Sequence, residues 1–211
     1  MKKTALITLL LSLVVFSSAF AAGGMTFGVD GGVAMPTGDY GKLFKMGFQG
    51  GLFGDYGINE QFALGVGVDY VKVGVKDDYI KAIETLTEYE IYVATGEAVD
   101  VTAEVKTSII PITVYAKWMP PMKGTVAPYV QVGGGYYLMK TDVTLSALGT
   151  SASDSASESK PGFFGGEGVD FKANPQVKVG VFAKAHDILT EGQSSMYFNA
   201  GVSVGFGMAS K

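Results

Sequence analysis

Hydrophobic and polar residues alternate along most of the chain between about Met25 and Met208. In the last run, one face carries mainly apolar side chains: Phe198, Ala200, Val202, Val204, Phe206 and Met208. The other face carries small or polar residues: Tyr197, Asn199, Gly201, Ser203 and Gly205. A period of two residues predicts a β-strand. An apolar face with aromatic residues near both ends is typical of a barrel wall that faces lipid.

Eight runs of this kind are predicted as strands, with approximate bounds 25–35, 46–57, 62–74, 105–118, 127–140, 163–172, 177–186 and 195–208. The connections at 57–61, 119–126 and 173–176 are short, whereas 75–104 and 141–162 are long. Alternating short turns and long loops are typical of outer-membrane barrels, and an even strand number closes with both termini on one side. The predicted fold class is all-β, an eight-stranded antiparallel up-and-down transmembrane β-barrel.

Aromatic residues on the apolar face fall at two levels. The level next to the termini and the short turns contains Phe27, Tyr56, Phe62, Trp118, Phe171 and Phe206. The level next to the long loops contains Phe48, Tyr70, Tyr136, Phe163 and Phe198. Two aromatic girdles that flank an aliphatic band are expected where a barrel crosses the two membrane interfaces.

The opposite face carries glycines and a set of charged residues: Asp30, Asp55, Asp69, Lys117, Asp170, Lys178 and Lys184. Side chains just fill the interior of an eight-stranded barrel, so we expect these residues to form a polar network in the lumen. Asp170 and Lys178 are symmetric about Asn174, which predicts that a tight hairpin places them opposite one another.

Alternation by itself does not distinguish the inside of a barrel from the outside. A soluble barrel of the lipocalin kind would have the same eight strands, with apolar residues inside and polar residues in water. The two aromatic levels, the many glycines on the polar face and the number of charges there favour the membrane barrel.

Glu167 departs from the pattern, because it falls on the apolar face together with Phe163 and Val169. A carboxylate facing the middle of a bilayer is costly. A β-bulge at Gly165 and Gly166 would turn Glu167 inward, and this is the preferred interpretation. The alternative is an exposed carboxylate with a function.

Residues 1–21 predict a cleaved signal peptide, with a basic start, an apolar stretch at 4–16 and small residues at 19 and 21. The apolar stretch is shorter than the ~20 residues of a membrane span, which disfavours an uncleaved anchor. The predicted mature domain is 22–211, in the bacterial outer membrane after export through the periplasm. It has no cysteine, so no disulfide can stabilise it.

Several segments match a known family: 36–40 (PTGDY) with 47–48 (GF), 110–114 (IPITV), 128–130 (PYV) leading into 133–136 (GGGY), and 166 with 168–171 (GVDF). Over nearly its whole mature length, the chain resembles the outer-membrane β-barrel domain family of small eight-stranded porin-like proteins. The resemblance implies a broad fold family that includes adhesins, structural proteins, small-solute channels and a few lipid-modifying enzymes.

The sequence offers little catalytic chemistry. His186 is the one histidine, and it is followed by Asp187, with Ser194 and Ser195 across the next connection. A Ser–His–Asp site is chemically conceivable, but a solvated histidine at the barrel rim is the preferred interpretation. We therefore expect no enzyme activity, no cofactor and no metal. The net charge of −4 and the absence of arginine argue against nucleic-acid binding.

The loops are the most distinctive part of the sequence. Residues 75–104 contain eight acidic residues and two lysines, with a helical turn predicted at 79–86 and alternating segments at 89–93 and 99–101. Residues 148–160 are rich in Ser and Ala, which predicts flexibility. The neighbouring strands at 105–118 and 127–140 are expected to continue past the membrane and to form a protruding acidic sheet with an open edge.

This pattern predicts a monomer in outer-membrane lipid with a structural or surface-interaction (adhesin-like) role. A protein partner would bind by strand addition at the loops 75–104 and 141–162. Loops that only shield the barrel mouth are an equal alternative. The alternative function is a passive channel or transporter for small solutes, apolar ones included.

Overall fold

The computed structural model describes residues 24–122, 124–190 and 193–208. Eight antiparallel strands form a closed barrel in which each strand pairs with its sequence neighbours and the last pairs with the first. The strands are β1 Met25–Thr37, β2 Gly47–Gly57, β3 Phe62–Gly74, β4 Val101–Trp118, β5 Val126–Ala147, β6 Thr150–Lys172, β7 Val177–Thr190 and β8 Gln193–Met208. The predicted fold class is confirmed. The predicted signal peptide lies outside the described residues.

The alternation in the sequence becomes an alternation of burial. Along β3, the apolar side chains of Leu64, Val66 and Val68 are exposed, whereas the residues between them point into the barrel. The interior is so narrow that a Cβ on Gly65 would overlap the ring of Tyr115 on the neighbouring strand. Glycine on the inner face therefore makes room for the large polar side chains that fill the barrel.

Two helices lie at the end of the barrel opposite the termini, which we call the outer end. Helix α1 (Tyr40–Leu43) connects β1 to β2, and helix α2 (Asp77–Thr95) connects β3 to β4. Helix α2 is followed by Gly96, whose φ of 77° is the left-handed conformation that commonly terminates a helix. The prediction of an alternating strand segment at 89–93 is therefore wrong, because these residues belong to the helix.

Strands β5 and β6 extend far beyond the outer aromatic level and form one long hairpin. Ala147 pairs with Thr150, and the turn contains only Leu148 and Gly149, both with positive φ. Such turns suit the twist of antiparallel strands. The prediction of a loop at 141–162, with a flexible tract at 148–160, is therefore wrong, because these residues form a strand pair. As predicted, β4 and β5 continue past the aromatic level, and they pair from Trp118 to Val101.

The register of β6 is continuous through Glu167. Gly166 pairs with Gln131 and Lys184, and Glu167 pairs with Val130 and Ala183. The predicted bulge is absent from this part of the strand, and the side chain of Glu167 is exposed on the outer face. The preferred interpretation of Glu167 as an inward-facing residue is therefore wrong.

No helix among the described residues combines the length and the apolar character that a membrane span requires.

Candidate functional site at the outer end of the barrel

Four charged side chains meet in the barrel near the termini. Lys117 Nζ lies 3.5 Å from Asp55 Oδ2 and 3.3 Å from Asp170 Oδ2. Lys178 Nζ lies 3.5 Å and 3.0 Å from the same two oxygens. The Tyr115 hydroxyl donates to Asp55 Oδ1 over 2.7 Å. Two carboxylates and two ammonium groups balance one another here, in an interior that would otherwise penalise each charge.

The Asp170–Lys178 contact arises differently from its prediction. The β6–β7 turn is centred on Pro175, so that Lys172 pairs with Lys178 and Asp170 pairs with Gly180. The side chain of Asn174 accepts hydrogen bonds from the backbone N–H groups of Gln176 and Val177, which fixes this turn. The two charged residues are diagonal neighbours, and the prediction that they lie directly opposite is wrong.

A second charged group lies further along the barrel. Lys184 Nζ is 3.5 Å from Asp30 Oδ2, and Gln49 Nε2 donates to Asp30 Oδ1 over 3.0 Å. Asp69 lies beside Asp30, and the positive charge of Lys184 attracts both carboxylates. The seven predicted lumen residues thus fall into two groups, both facing the barrel interior.

His186 occupies an aromatic layer outside the two charged groups. Its ring stacks on Tyr197 at 4.6 Å and on Phe164 at 5.1 Å, and its Nδ1 lies 2.9 Å from the hydroxyl oxygen of Tyr137. Only 1% of His186 is exposed. The prediction of a solvated rim histidine is wrong. Ser195 Oγ lies 3.4 Å from the hydroxyl of Thr190, so the structure gives this serine a different partner.

The barrel interior ends in an apolar floor below an open cup. The floor is a buried cluster of Ala34, Tyr40, Val71, Val73, Ile109, Tyr137, Ile188 and Tyr197, with Phe44 and Met139 packed against it. Above the floor is a cavity of about 500 Å³, whose walls include Thr107, Thr141, Glu158 and Lys160. Burial raises the pKa of the Tyr40 phenol well above its usual value, so that this group stays neutral. The cup can hold a small molecule between an apolar floor and polar walls.

Helix α2 covers one edge of the extended sheet. Glu88 Oε1 accepts a hydrogen bond from the backbone N–H of Val101 over 3.1 Å, and Glu84 Oε1 accepts one from Ala103 over 2.9 Å. Lys45 Nζ contacts Asp77 Oδ1 at 2.5 Å at the start of the helix, and this ion pair lowers the pKa of Asp77. The helix therefore closes this edge of the extended sheet.

The other edge of the extended sheet has no strand beside it among the described residues. β7 pairs with β6 only as far as Gly162, whereas β6 continues to Thr150. The backbone N–H of Ser155 bonds to the Asp154 carboxylate instead of β5, so it points to the open edge. Alternate residues of an antiparallel strand point the same way, which places Pro161 and its missing N–H at that edge too.

The residues of the two aromatic levels lie on the outer face. Phe27 pairs with Phe206 and Phe62 with Trp118 at the end near the termini. Tyr56 is half-buried there, and Phe171 is exposed. The residues of the other level are exposed as well: Phe48, Tyr70, Tyr136, Phe163 and Phe198. A band between these levels is where a bilayer would contact the barrel.

Glu167 lies on this band, four residues from Phe163 and four from Phe171 on the same strand, which places it about 13 Å along the strand from each. Replacing Glu167 by valine is expected to raise the free energy of unfolding in lipid vesicles by roughly 1–2 kcal/mol, because a carboxylate is removed from hydrocarbon. Urea unfolding would measure the change, with Glu158→Val at the outer end as the control. An unchanged or lower stability of the Glu167 variant would mean that this carboxylate has a compensating partner.

Sequence reasoning missed the aromatic layer around His186, the cup and the packing of α2 on β4. Only the last had a usable signal, since Ile80, Ile83, Thr87 and Ile91 follow a helical period.

A model of the outer membrane protein beta-barrel domain family matches residues 7–208 of the chain. No curated protein sequence matches it.

Solved structures with the same fold are distant in sequence. The attachment invasion locus protein (Ail) of Yersinia pestis, in complex with the heparin analogue sucrose octasulfate, is 12% identical with a TM-score of 0.54, covering 88% of this chain and 99% of that one. Neisserial surface protein A is 14% identical with a TM-score of 0.53, over 86% and 96%. A major outer membrane protein from Thermus thermophilus is 11% identical with a TM-score of 0.52, over 87% and 99%.

Proposed function

Since the chain belongs to the outer membrane protein beta-barrel domain family, and thus to the bacterial outer membrane, we propose that it acts in surface attachment. The barrel is the rigid support, and the binding part is the outer assembly, which we define as α2 together with the β4–β6 extension. The observation that carries this proposal is that the outer assembly is regular helix and strand beyond the outer aromatic level. About 35 Å of strand separates Tyr136 from the hairpin turn.

The charge of the outer assembly indicates the class of partner. Residues 75–104 contain eight acidic residues and two lysines, a net charge of −6. Like charges at this density repel polyanions and attract cationic surfaces. The partner proposed here is therefore a basic protein surface, in contrast to the sulfated sugar in the Yersinia complex.

The open edge of β6 offers a backbone contact for such a partner. The edge runs from Thr150 to Lys160, and these residues lie beyond the point where β6 stops pairing with β7. A strand of the partner would pair with the outward N–H and C=O groups there. Asp154 and Glu158 lie in this segment and would favour lysine or arginine beside the added strand.

Deleting residues 79–101 is expected to abolish attachment to the partner while the barrel still folds, because β3 and β4 remain paired through Gly74 and Lys106. Attachment of cells that express the deletion variant would be compared with wild type, and gel mobility before and after heating would report folding. Ser157→Pro is the matched test of the edge, since Ser157 lies two residues from Ser155 and its N–H points to the same edge, so the change leaves the β5 pairing. Normal attachment by the deletion variant would refute the proposal.

The cup supports a second candidate function, uptake of small apolar solutes. Its floor of Tyr40, Phe44 and Met139 is apolar and its volume of about 500 Å³ suits a small molecule. Conductance and solute uptake of the refolded protein in lipid bilayers separate the two functions. Solute uptake that is lost on deletion of 79–101, with attachment unchanged, would favour the transporter.

A further inference from the structure

Helix α2 carries five apolar side chains on its solvent side, spaced alternately three and four residues apart. We call these residues the outer stripe: Tyr79, Ala82, Leu86, Tyr89 and Val93. All five are exposed, and Leu86, Tyr89 and Val93 keep 64%, 65% and 66% of their area open. An exposed apolar row of this length is unusual on a surface that contacts only water.

The stripe is not needed to hold the helix on the barrel. The opposite side of α2 faces β4, where Ile80, Ile83 and Ile91 are half-buried. Glu84 and Glu88 on that side bond to the β4 backbone. The helix is thus already packed, and the outer stripe is a second apolar surface.

The spacing of the stripe indicates the shape of what it contacts. Apolar residues at alternating intervals of three and four form the seam along which two helices pack side by side. The seam here spans Tyr79 to Val93, about four turns of helix. A flat sheet or an extended peptide would not match such a row as well as another helix.

A groove lies directly beside the stripe. It has a volume of about 550 Å³ and runs between α2 and the segment at 98–100. Tyr89 belongs to both the stripe and the groove, and Tyr92 and Val99 extend the apolar surface. Glu88 and Asp100 add carboxylates to its walls.

Two kinds of helix could occupy this surface, namely α2 of a second copy of the chain or a helix of a different protein. The charge of α2 distinguishes between them. A second copy of the chain would bring another segment with a net charge of −6 against the first. A helix with lysine or arginine beside its apolar face would instead complement Glu90 and Asp100, whose side chains are exposed. Charge complementarity therefore favours a basic partner.

We propose that the outer stripe and the adjacent groove bind a cationic amphipathic helix of another polypeptide. The apolar face of that helix packs on Leu86 and Tyr89, and its basic residues face Glu90 and Asp100. This inference rests on the proposed attachment function and specifies the partner surface that α2 takes.

The probe is a synthetic amphipathic helix of leucine and lysine, about 18 residues or five turns long. Fluorescently labelled peptide is titrated with the full-length protein in nanodiscs of zwitterionic lipid, and binding to empty nanodiscs is subtracted. We expect Leu86→Gln with Tyr89→Gln to weaken binding at least about 30-fold, because central anchors of an interface contribute most of its affinity. Glutamine keeps the helix propensity.

Leu148→Gln is the matched control, since Leu148 is 81% exposed on the other outer tip and lies outside the stripe. This variant is expected to bind as wild type does. Glu90→Gln should weaken binding and reduce its dependence on salt. Circular dichroism and gel mobility verify that α2 and the barrel are intact.

Wild-type affinity in the double glutamine variant would overturn the inference, as would concentration-dependent self-association of the protein that the same variant abolishes. The attachment function is tested separately by the 79–101 deletion. If the deletion abolishes attachment while the glutamine variant attaches normally, the stripe inference fails and the attachment function stands. If the deletion leaves attachment intact, attachment does not depend on residues 79–101 and the proposed function fails as stated, and the titration still decides whether the stripe binds a helix.

Discussion

Replacing Lys117 by methionine is expected to lower the free energy of unfolding of the barrel by about 3–5 kcal/mol, because it leaves buried charge without compensation. The ammonium of Lys117 contacts both Asp55 and Asp170, and 5% of its side chain is exposed. Without it, two carboxylates share Lys178 alone. Urea unfolding in lipid vesicles, followed by gel mobility before heating, would measure the loss.

The charge balance can be restored without restoring the lysine. Adding Asp170→Asn to Lys117→Met leaves one carboxylate and one ammonium, so the double variant should recover much of the lost stability. Val66→Leu is the outer-face control, since Val66 is 58% exposed on the barrel wall, and its stability should barely change. Equal stability of the single Lys117 variant and wild type would show that the lumen network does not stabilise the barrel.

The barrel strands could be predicted because one physical constraint acts on every residue in them. A barrel wall has two environments, and a strand presents successive residues to them in turn. The alternation in 62–74 therefore reappears as alternating exposure along β3. The same constraint predicts from the sequence alone that Asp55, Lys117 and Asp170 face the inside, where they are buried.

The outer hairpin escaped prediction because it has no such constraint. Residues 150–160 bury no apolar face, so their sequence carries no alternation of hydrophobicity. Their strand is held by pairing with β5 and by contacts between side chains, such as the 3.0 Å hydroxyl contact of Thr144 and Ser153. The pattern of hydrophobic residues indicates which side chains are buried. A strand that is held in water by backbone hydrogen bonds does not need such a pattern.

Helix α2 shows how a short segment fits two periods at once. Residues 89–93 alternate as a strand would, and Tyr89 and Val93 also continue the helical spacing from Leu86. A run of five residues does not separate these periods, whereas the 15 residues from Tyr79 to Val93 do. Residues 89–93 taken alone therefore predict a strand, although they form part of the helix.

The strand pairing at Asp170 and Glu167 could not be predicted, because it depends on the position of a turn and on the absence of a bulge. The capping of the β6–β7 turn by Asn174 centres it on Pro175, which shifts the pairing of Asp170 by two residues. The glycines before Glu167 are compatible with a bulge, but they pair in regular register. Glycine permits a bulge and does not require one.

Replacing Gly135 by alanine is expected to lower the free energy of unfolding by about 1–3 kcal/mol, because the added methyl group overpacks the barrel. A Cβ at this position would lie 2.9 Å from Thr113 Cα and 2.9 Å from the carbonyl carbon of Ile112. These are backbone atoms of the paired strand β4, so relief requires β4 and β5 to move apart. A flexible side chain could give way at much lower cost.

Gly165→Ala on the neighbouring strand is the matched substitution. A Cβ on Gly165 would have no atom within 4 Å, and the alanine reduces the freedom of the unfolded chain. This variant should therefore be as stable as wild type or slightly more stable. The midpoints of urea unfolding of the two variants are measured in the same lipid vesicles. They compare the effect of one added methyl group on the inner face of the sheet with its effect on the outer face. Equal loss at both positions would contradict the assignment of Gly135 to the crowded interior and Gly165 to the open outer face.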